Sequence, residues 1–308
     1  MKRIIFAAAF ALVCAVAGGA SAEAQAQRRP ANRALGTQVI WSFEKNPRPV
    51  EYRFGDVTLN VRPYREEAGS ESVAPEVTVS APGRAPVTMR GSEVWPNATH
   101  HIGVGRLDRG GNRFVELQSY TGGAHCCNQI SVAVIEPRQI RVVELGAWDG
   151  SPGDLPRDVD RDGAVDWVQQ DDSFLYSFAS YAESIPPLQI INIVDGKVED
   201  VSTRPSFRPL HQGAVNDTRR LCLTRRRADA NNSACAAYVA SAARIGQFDD
   251  AWSRMVRAYN DKQQWDYPTG CRVAPDPENG CPDSATISYG GYLPSLRACL
   301  IDQRYIAR

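Results

Sequence analysis

The sequence carries no excess of charge of either sign: its 308 residues include 35 Lys+Arg and 35 Asp+Glu. Without a basic surplus, nothing in the charge balance argues for wrapping nucleic acid or lying on an anionic membrane. Beyond the amino-terminal segment there is no run of about 18 apolar residues of the kind that spans a bilayer. Also absent are G-x-S-x-G, H-E-x-x-H, a Walker loop and a Rossmann glycine run. Those absences remove the best-marked hydrolase, metalloprotease and nucleotide-binding signatures. No C-x-x-C and no Cys/His ladder with zinc-finger spacing occurs either. What remains is a globular composition, 43% hydrophobic and 23% charged, at a length that fits one large domain or two ordinary ones.

Lys2 and Arg3 precede an unbroken apolar stretch from Ile4 to Ala17. Small residues follow, with Ala20-Ser21-Ala22 and Ala24-Gln25-Ala26 both offering an A-x-A pattern. That layout is a signal peptide and its cleavage region over residues 1–26, so the chain is read as periplasmic or secreted. Cys14 follows Leu12-Val13 and lacks the small residue that a lipoprotein site wants, so no lipid anchor is expected. Export would bring Cys126, Cys127, Cys222, Cys235, Cys271, Cys281 and Cys299 into an oxidising compartment. An odd number leaves at least one thiol free or paired with another molecule. Spacing favours Cys271 with Cys281, which bracket Pro275, Pro277 and Gly280, and then Cys222 with Cys235, although spacing alone does not establish connectivity.

Two periods divide the rest. From Thr37 to Val201 short β-like runs alternate with turns: Gln38–Phe43, Val57–Val61, Glu76–Ser80, Ile102–Leu107, Arg113–Gln118, Gln129–Ile135 and Ile140–Leu145. Gly111-Asn112 is a hairpin turn between two of them. After Ser206 a helical period takes over, with helices expected over Asn232–Ile245, Gln247–Asn260 and Leu293–Tyr305, the first two joined at Gly246. The fold class expected is α+β. An antiparallel β domain over 37–205, a sandwich or a propeller-like meander, precedes a small disulfide-stapled helical domain over 206–308.

The strongest chemical signal is Asp158-Val-Asp160-Arg-Asp162-Gly163-Ala-Val-Asp166. Side chains at positions one, three and five of a tight loop converge, the glycine permits the turn, and the Ala164 carbonyl adds a neutral oxygen. With Asp166 the set is an oxygen cage suited to Ca²⁺ rather than to zinc or copper. The metal ligands expected are therefore Asp158, Asp160, Asp162, Ala164 and Asp166. Asp149 and Asp154 lie upstream, as outer-shell partners or as surface charge. Position twelve is Gln169 where an EF-hand needs Glu, and no long amphipathic helices flank the loop. A D-x-D-x-D-G-x-x-D loop running into a strand at Trp167 resembles the calcium loops of FG-GAP and VCBS-type β-propeller repeats. That resemblance implies an extracellular binding or adhesion setting. The loop occurs once here.

Tyr120-Thr-Gly122-Gly123-Ala-His125-Cys126-Cys127 is the other unusual stretch. It resembles a GGAHCC segment of uncharacterised exported proteobacterial proteins, which also carry a downstream acidic loop and a stretch like Phe178-Ala-Ser-Tyr181. His125, Cys126 and Cys127 are read as a possible ligand loop. Three readings compete: a vicinal disulfide, a bridge to a distant cysteine, and a Cys/His nucleophilic pair. His100-His101 would point to opposite faces of a strand, which favours hydrogen-bonded histidines over a metal pair. No catalytic residue is assigned. The expectation is a calcium-stabilised, non-catalytic binding or interaction module of the cell envelope, with an unknown envelope or extracellular ligand. The alternative is an envelope hydrolase acting on polysaccharide or peptide, through the His125–Cys126 loop or the Asp171-Asp172 carboxylates.

Overall fold

A computed structural model describes residues 32–124, 127–224, 231–276 and 280–307. The signal peptide read over 1–26, and His125 and Cys126 of the ligand loop, lie outside the described residues. The compact unit that holds the fold is Ala31–Arg308.

In chain order the strands are β1 (Asn32–Arg33), β2 (Thr37–Trp41), β3 (Val50–Phe54), β4 (Val57–Tyr64), β5 (Ala74–Ser80), β6 (Val87–Arg90), β7 (His100–Arg106), β8 (Arg113–Tyr120), β9 (Asn128–Ile135) and β10 (Ile140–Trp148). Then come β11 (Trp167–Gln170), β12 (Leu188–Val194) and β13 (Lys197–Asp200). A first sheet has the order β1-β3-β4-β5-β6, a second β10-β9-β8-β7-β2, and a third β11-β12-β13. Neighbouring strands are antiparallel except for β1 on β3. Gly111, at φ 89°, turns the β7–β8 hairpin at the expected place.

Phe54, Leu59 and Val79 of the first sheet share one core with Trp41, Ile102 and Leu117 of the second, so these two sheets face each other as a sandwich. The far side of the second sheet presents Phe114, Ile130, Val132 and Leu145, which pack with Trp167 of β11 and Ile191 of β12. The second sheet is therefore covered on both faces. This explains why β8 and β9 are buried almost without interruption instead of alternating. Strand β12 points Ile191 back at the second sheet and Ile190 the other way, onto Val201, Phe207 and Leu210.

The helices are α1 (Arg208–Thr224), α2 (Asn231–Arg244) and α3 (Phe248–Met255), then α4 (Tyr292–Asp302) after the short pair β14 (Gly270–Cys271) and β15 (Thr286–Ile287). Sequence periodicity predicts no helix over α1. Its buried residues are His211, Val215, Thr218 and Cys222, so the inward face carries little apolar signal, and Pro209 and Gly213 lower its intrinsic propensity. Packing on α2 supplies what propensity does not. Helix α3 ends earlier than its period suggests. The buried amides of Asn231 and Asn232 reach the carbonyls of Ala258 and Asn260, at 2.9 and 3.1 Å, and hold that stretch in a turn. Cys222–Cys235 ties α1 to α2 and Cys271–Cys281 closes the loop before β15, as the spacing favours, while Cys299 is a buried free thiol.

The β and helical parts also share a core. Phe174 and Phe178, in turns just after β11, are fully buried among Cys235, Tyr238, Met255, Tyr292 and Leu296. Phe178 meets Tyr292 edge-on at 5.6 Å and Phe174 meets Tyr305 at 5.6 Å. Phe178→Ala is expected to lower the unfolding free energy by about 3–5 kcal/mol. A denaturant titration would register this as a lower midpoint, and an unchanged midpoint would show that the two parts do not depend on this ring.

Candidate metal centre

The acidic loop leaves the end of the second sheet and returns as β11. Its two ends are pinned by a bridge in which Asp166 N donates to Arg157 O at 2.9 Å, and Val165 N donates to Leu107 O at 3.0 Å. Within it the carboxylates organise the backbone. Asp158 Oδ2 accepts from Gly163 N at 3.0 Å, Asp160 Oδ1 from Asp162 N at 3.0 Å, and Asp166 Oδ2 from Val159 N at 2.8 Å. Gly163, at φ 93°, passes under the Arg109 side chain, where a Cβ would collide. Arg109 Nη2 donates to Arg161 O at 2.8 Å.

Carboxylate oxygens of Asp158, Asp160 and Asp166 all lie within 4.8 Å of one another. Asp162 stands outside that group, and its Oδ1 accepts from Ala164 N at 2.7 Å. Asp166 is only 1% exposed; its Oδ1 takes no hydrogen bond of full geometry, although the Asn192 side chain stands close enough to favour the charged carboxylate. Burial holds its carboxyl above the usual range, and the neighbouring Asp160 charge pushes the same way. An all-oxygen donor set of this kind matches a hard cation that takes several carboxylates, as Ca²⁺ does at roughly 2.3–2.6 Å.

Trp167, next in the chain, locks Asp166 in place. Its indole is 2% exposed, stands edge-on to Phe114 at 5.8 Å and donates to Glu116 Oε2 at 2.5 Å. Burial pushes the Glu116 carboxyl up to about 7, partly offset by hydrogen bonds from Gln118 and Trp167. Glu116 and Gln118 share the covered face of β8 with Phe114. Two polar residues at this spacing in an apolar strand are the signal that sequence reasoning passed over.

The other sequence candidates do not join this centre. Cys127 is disulfide-bonded, to none of the other described cysteines, and so offers no thiolate there. Its N–H donates to Thr121 Oγ1 at 2.9 Å. His100 and His101 point to opposite faces, His100 onto Ser119 Oγ at 2.8 Å and His101 onto Gly153 O at 3.0 Å. Asp171 is taken up by Ser173 and by Tyr305 Oη at 2.9 Å, and Asp172 Oδ2 by Asp149 N at 2.5 Å.

His100 generates a pH prediction. Burial pushes its pKa down to about 4 from 6.5, so the folded chain declines a proton that the unfolded chain accepts below 6.5. Its effect is absent above that value, and stability is lost as pH falls from 6.5 toward 4, by about 3 kcal/mol at the bottom of the window. His100→Asn should be less stable near neutrality, through lost packing on Trp41, yet should lack this acid-side loss. Thermal melts of both proteins across the window check it, and parallel pH profiles would refute it.

Comparison with known proteins supplies the setting. Residues 214–304 match the model of the sll0997 C-terminal domain, which runs from within α1 to just past α4. Over 259 residues the chain is 34% identical to the probable thylakoid lumen protein sll0997 of Synechocystis sp., covering 82% of this chain and 74% of that protein. It is 26% identical over 250 residues to the uncharacterized protein y4bJ of Sinorhizobium fredii, covering 80% of this chain but only 39% of that longer protein. No solved structure matches the chain. At this identity and coverage, the chain belongs to the family of the probable thylakoid lumen protein sll0997.

Proposed function

We propose that this protein is an exported, non-catalytic binding module of the cell envelope whose β region is stabilised by calcium. The observation that carries the reading is the convergence of three carboxylates, the buried Asp166 with Asp158 and Asp160, all within 4.8 Å. Three carboxylates this close repel one another unless a cation neutralises them. The loop is already tied by its bridge, by its own carboxylates and by Arg109, so the ion has a rigid frame to complete rather than a switch to throw. An ion that binds only the folded chain stabilises it by mass action.

Export is supported from three directions. Lys2, Arg3 and the apolar stretch Ile4–Ala17 have the layout of a signal peptide. Two disulfides staple the helical part, which suits an oxidising compartment. A relative is named for the thylakoid lumen, a space outside the cytoplasm. No helix among the described residues is long and apolar enough to cross a membrane.

The test is a calorimetric titration of the oxidised, chelator-stripped chain with Ca²⁺ and Mg²⁺, alongside thermal melts, with Asp160→Ala as control. Saturable Ca²⁺ binding and a higher melting temperature are expected, both lost in the variant. At a hundredfold excess over the dissociation constant the gain is about 2.7 kcal/mol. A melting temperature indifferent to Ca²⁺, with no heat of binding, would sink the calcium reading.

A further inference from the structure

We infer that a cavity in the helical part binds a small organic cation, an ammonium or guanidinium group on a carbon body, against the rings of Tyr259, Trp265 and Tyr267. The inference gives the binding-module reading a ligand class and rests on that reading, but not on the calcium loop. The cavity holds about 760 Å³ between the segment that joins α3 to β14 and the start of α4. Ligand sites run to roughly 300–1,000 Å³, so there is room for a molecule and not only for an ion.

The rings come first. Tyr259, Trp265, Tyr267 and Tyr292 line the cavity, and the first three are half-buried, so each keeps surface open. Three of the four spend their polar ends on the protein. Trp265 Nε1 donates to Tyr176 O at 2.9 Å, Tyr267 Oη to Gln263 O at 3.2 Å, and Tyr292 Oη to Asn232 O at 2.7 Å. Tyr259 stacks on Tyr292 at 5.3 Å with 17° between the planes, and Tyr267 meets Tyr292 at 5.6 Å and 62°. The rings are therefore fixed, and they offer a ligand their π surface, whose negative face attracts cations. The anchor of Trp265 is itself specified. Tyr176 sits at φ 59°, a left-handed conformation that a bulky side chain holds only where its surroundings enforce it.

Charge points the same way. Asp261 and Asp266, both exposed, line the cavity, and no lysine, arginine or histidine among the described residues does. The first turn of α4 lines it as well, from Gly291 to Ser295, and a helix N-terminus favours anions. That end carries about half a positive charge against two carboxylates, so the balance at the cavity is negative. A metal ion is the poorer fit. Among the described residues no group of three carboxylate, histidine or cysteine side chains includes either aspartate, so the acids set a field and do not form a cage.

The test is a nitrogen-edited NMR titration of the oxidised full chain, at low ionic strength, with choline and with butylguanidinium. Each is run beside an uncharged counterpart of similar shape, dimethylbutanol and butylurea, and acetate is the anionic comparison. Expected are saturable shifts of the Trp265 indole with at least one cation, whose uncharged counterpart binds about tenfold more weakly. Asp261→Asn combined with Asp266→Asn should weaken cation binding several-fold at an unchanged melting temperature, since both side chains are exposed. Tyr259→Leu should weaken it about tenfold. The inference is overturned if neither cation moves the indole, or if the uncharged counterparts bind as tightly. It is equally overturned if acetate binds in place of the cations, or if the double aspartate variant binds like the parent. Cation binding without Ca²⁺ binding would remove the calcium reading and keep this cavity; Ca²⁺ binding alone would do the reverse.

Discussion

Strands β8 and β9 are buried on both faces, so the sheet they belong to is covered twice, and the rest of the molecule is arranged around that requirement. One cover is the first sheet, through the core of Trp41, Phe54 and Leu117. The other is the small third sheet, whose Trp167 and Ile191 close over Phe114 and Ile130. Water is excluded from both sides, so each polar group on β8 needs a protein partner. Glu116 finds Gln118 and Trp167, and is held near neutrality in pKa by the same burial.

This second cover is also what gives the acidic loop a fixed end. Asp158 and Asp160 sit on an outer turn, but Asp166 immediately precedes the buried Trp167. A carboxylate one residue from a buried indole is held inside the loop and does not swing out to solvent to relieve its charge. A small cavity beside the loop, lined by Asn128, Trp148, Arg157 and Asp166 among others, follows from the same geometry. Gln118 stands where the second sheet, the segment around Gly153 and the third sheet meet, and it orients Asn128 by using up its own hydrogen-bonding capacity.

The helical part is joined to this scaffold by more than chain continuity. Phe174 and Phe178 lie in its core, Tyr305 Oη donates to Asp171, and Trp265 Nε1 donates to Tyr176 O at 2.9 Å. Arg244 is 6% exposed, pairs with Asp200 at 3.0 Å and stacks over the Tyr305 ring at 4.1 Å. Asp200 keeps a third of its side chain exposed, so solvent screens the pair, and the contact joins the helices to β13 more than it adds net stability.

Local features were legible in the sequence wherever the physics is local. Alternation located most strands of the sandwich, Gly111-Asn112 located a hairpin, short separations identified both helical-region disulfides, and nine residues from Asp158 to Asp166 contained a convergent carboxylate group. Each depends on backbone period or on neighbours within a dozen or so residues, which a sequence displays directly. Helix α1 was not legible, since its inward face is His211, Thr218, Val215 and Cys222 and only α2 makes that face worth burying. Nor was the polar relay from Glu116 through Gln118 to Asn128, whose members come from two strands and whose lid comes from a third segment. The sequence by itself determined where most strands of the sandwich run, which cysteines stand at bridging separation and which carboxylates can meet. Tertiary structure alone decided which carboxylate of the loop is buried and which amide Gln118 engages, because burial and hydrogen-bond capacity are properties of surroundings that distant segments assemble.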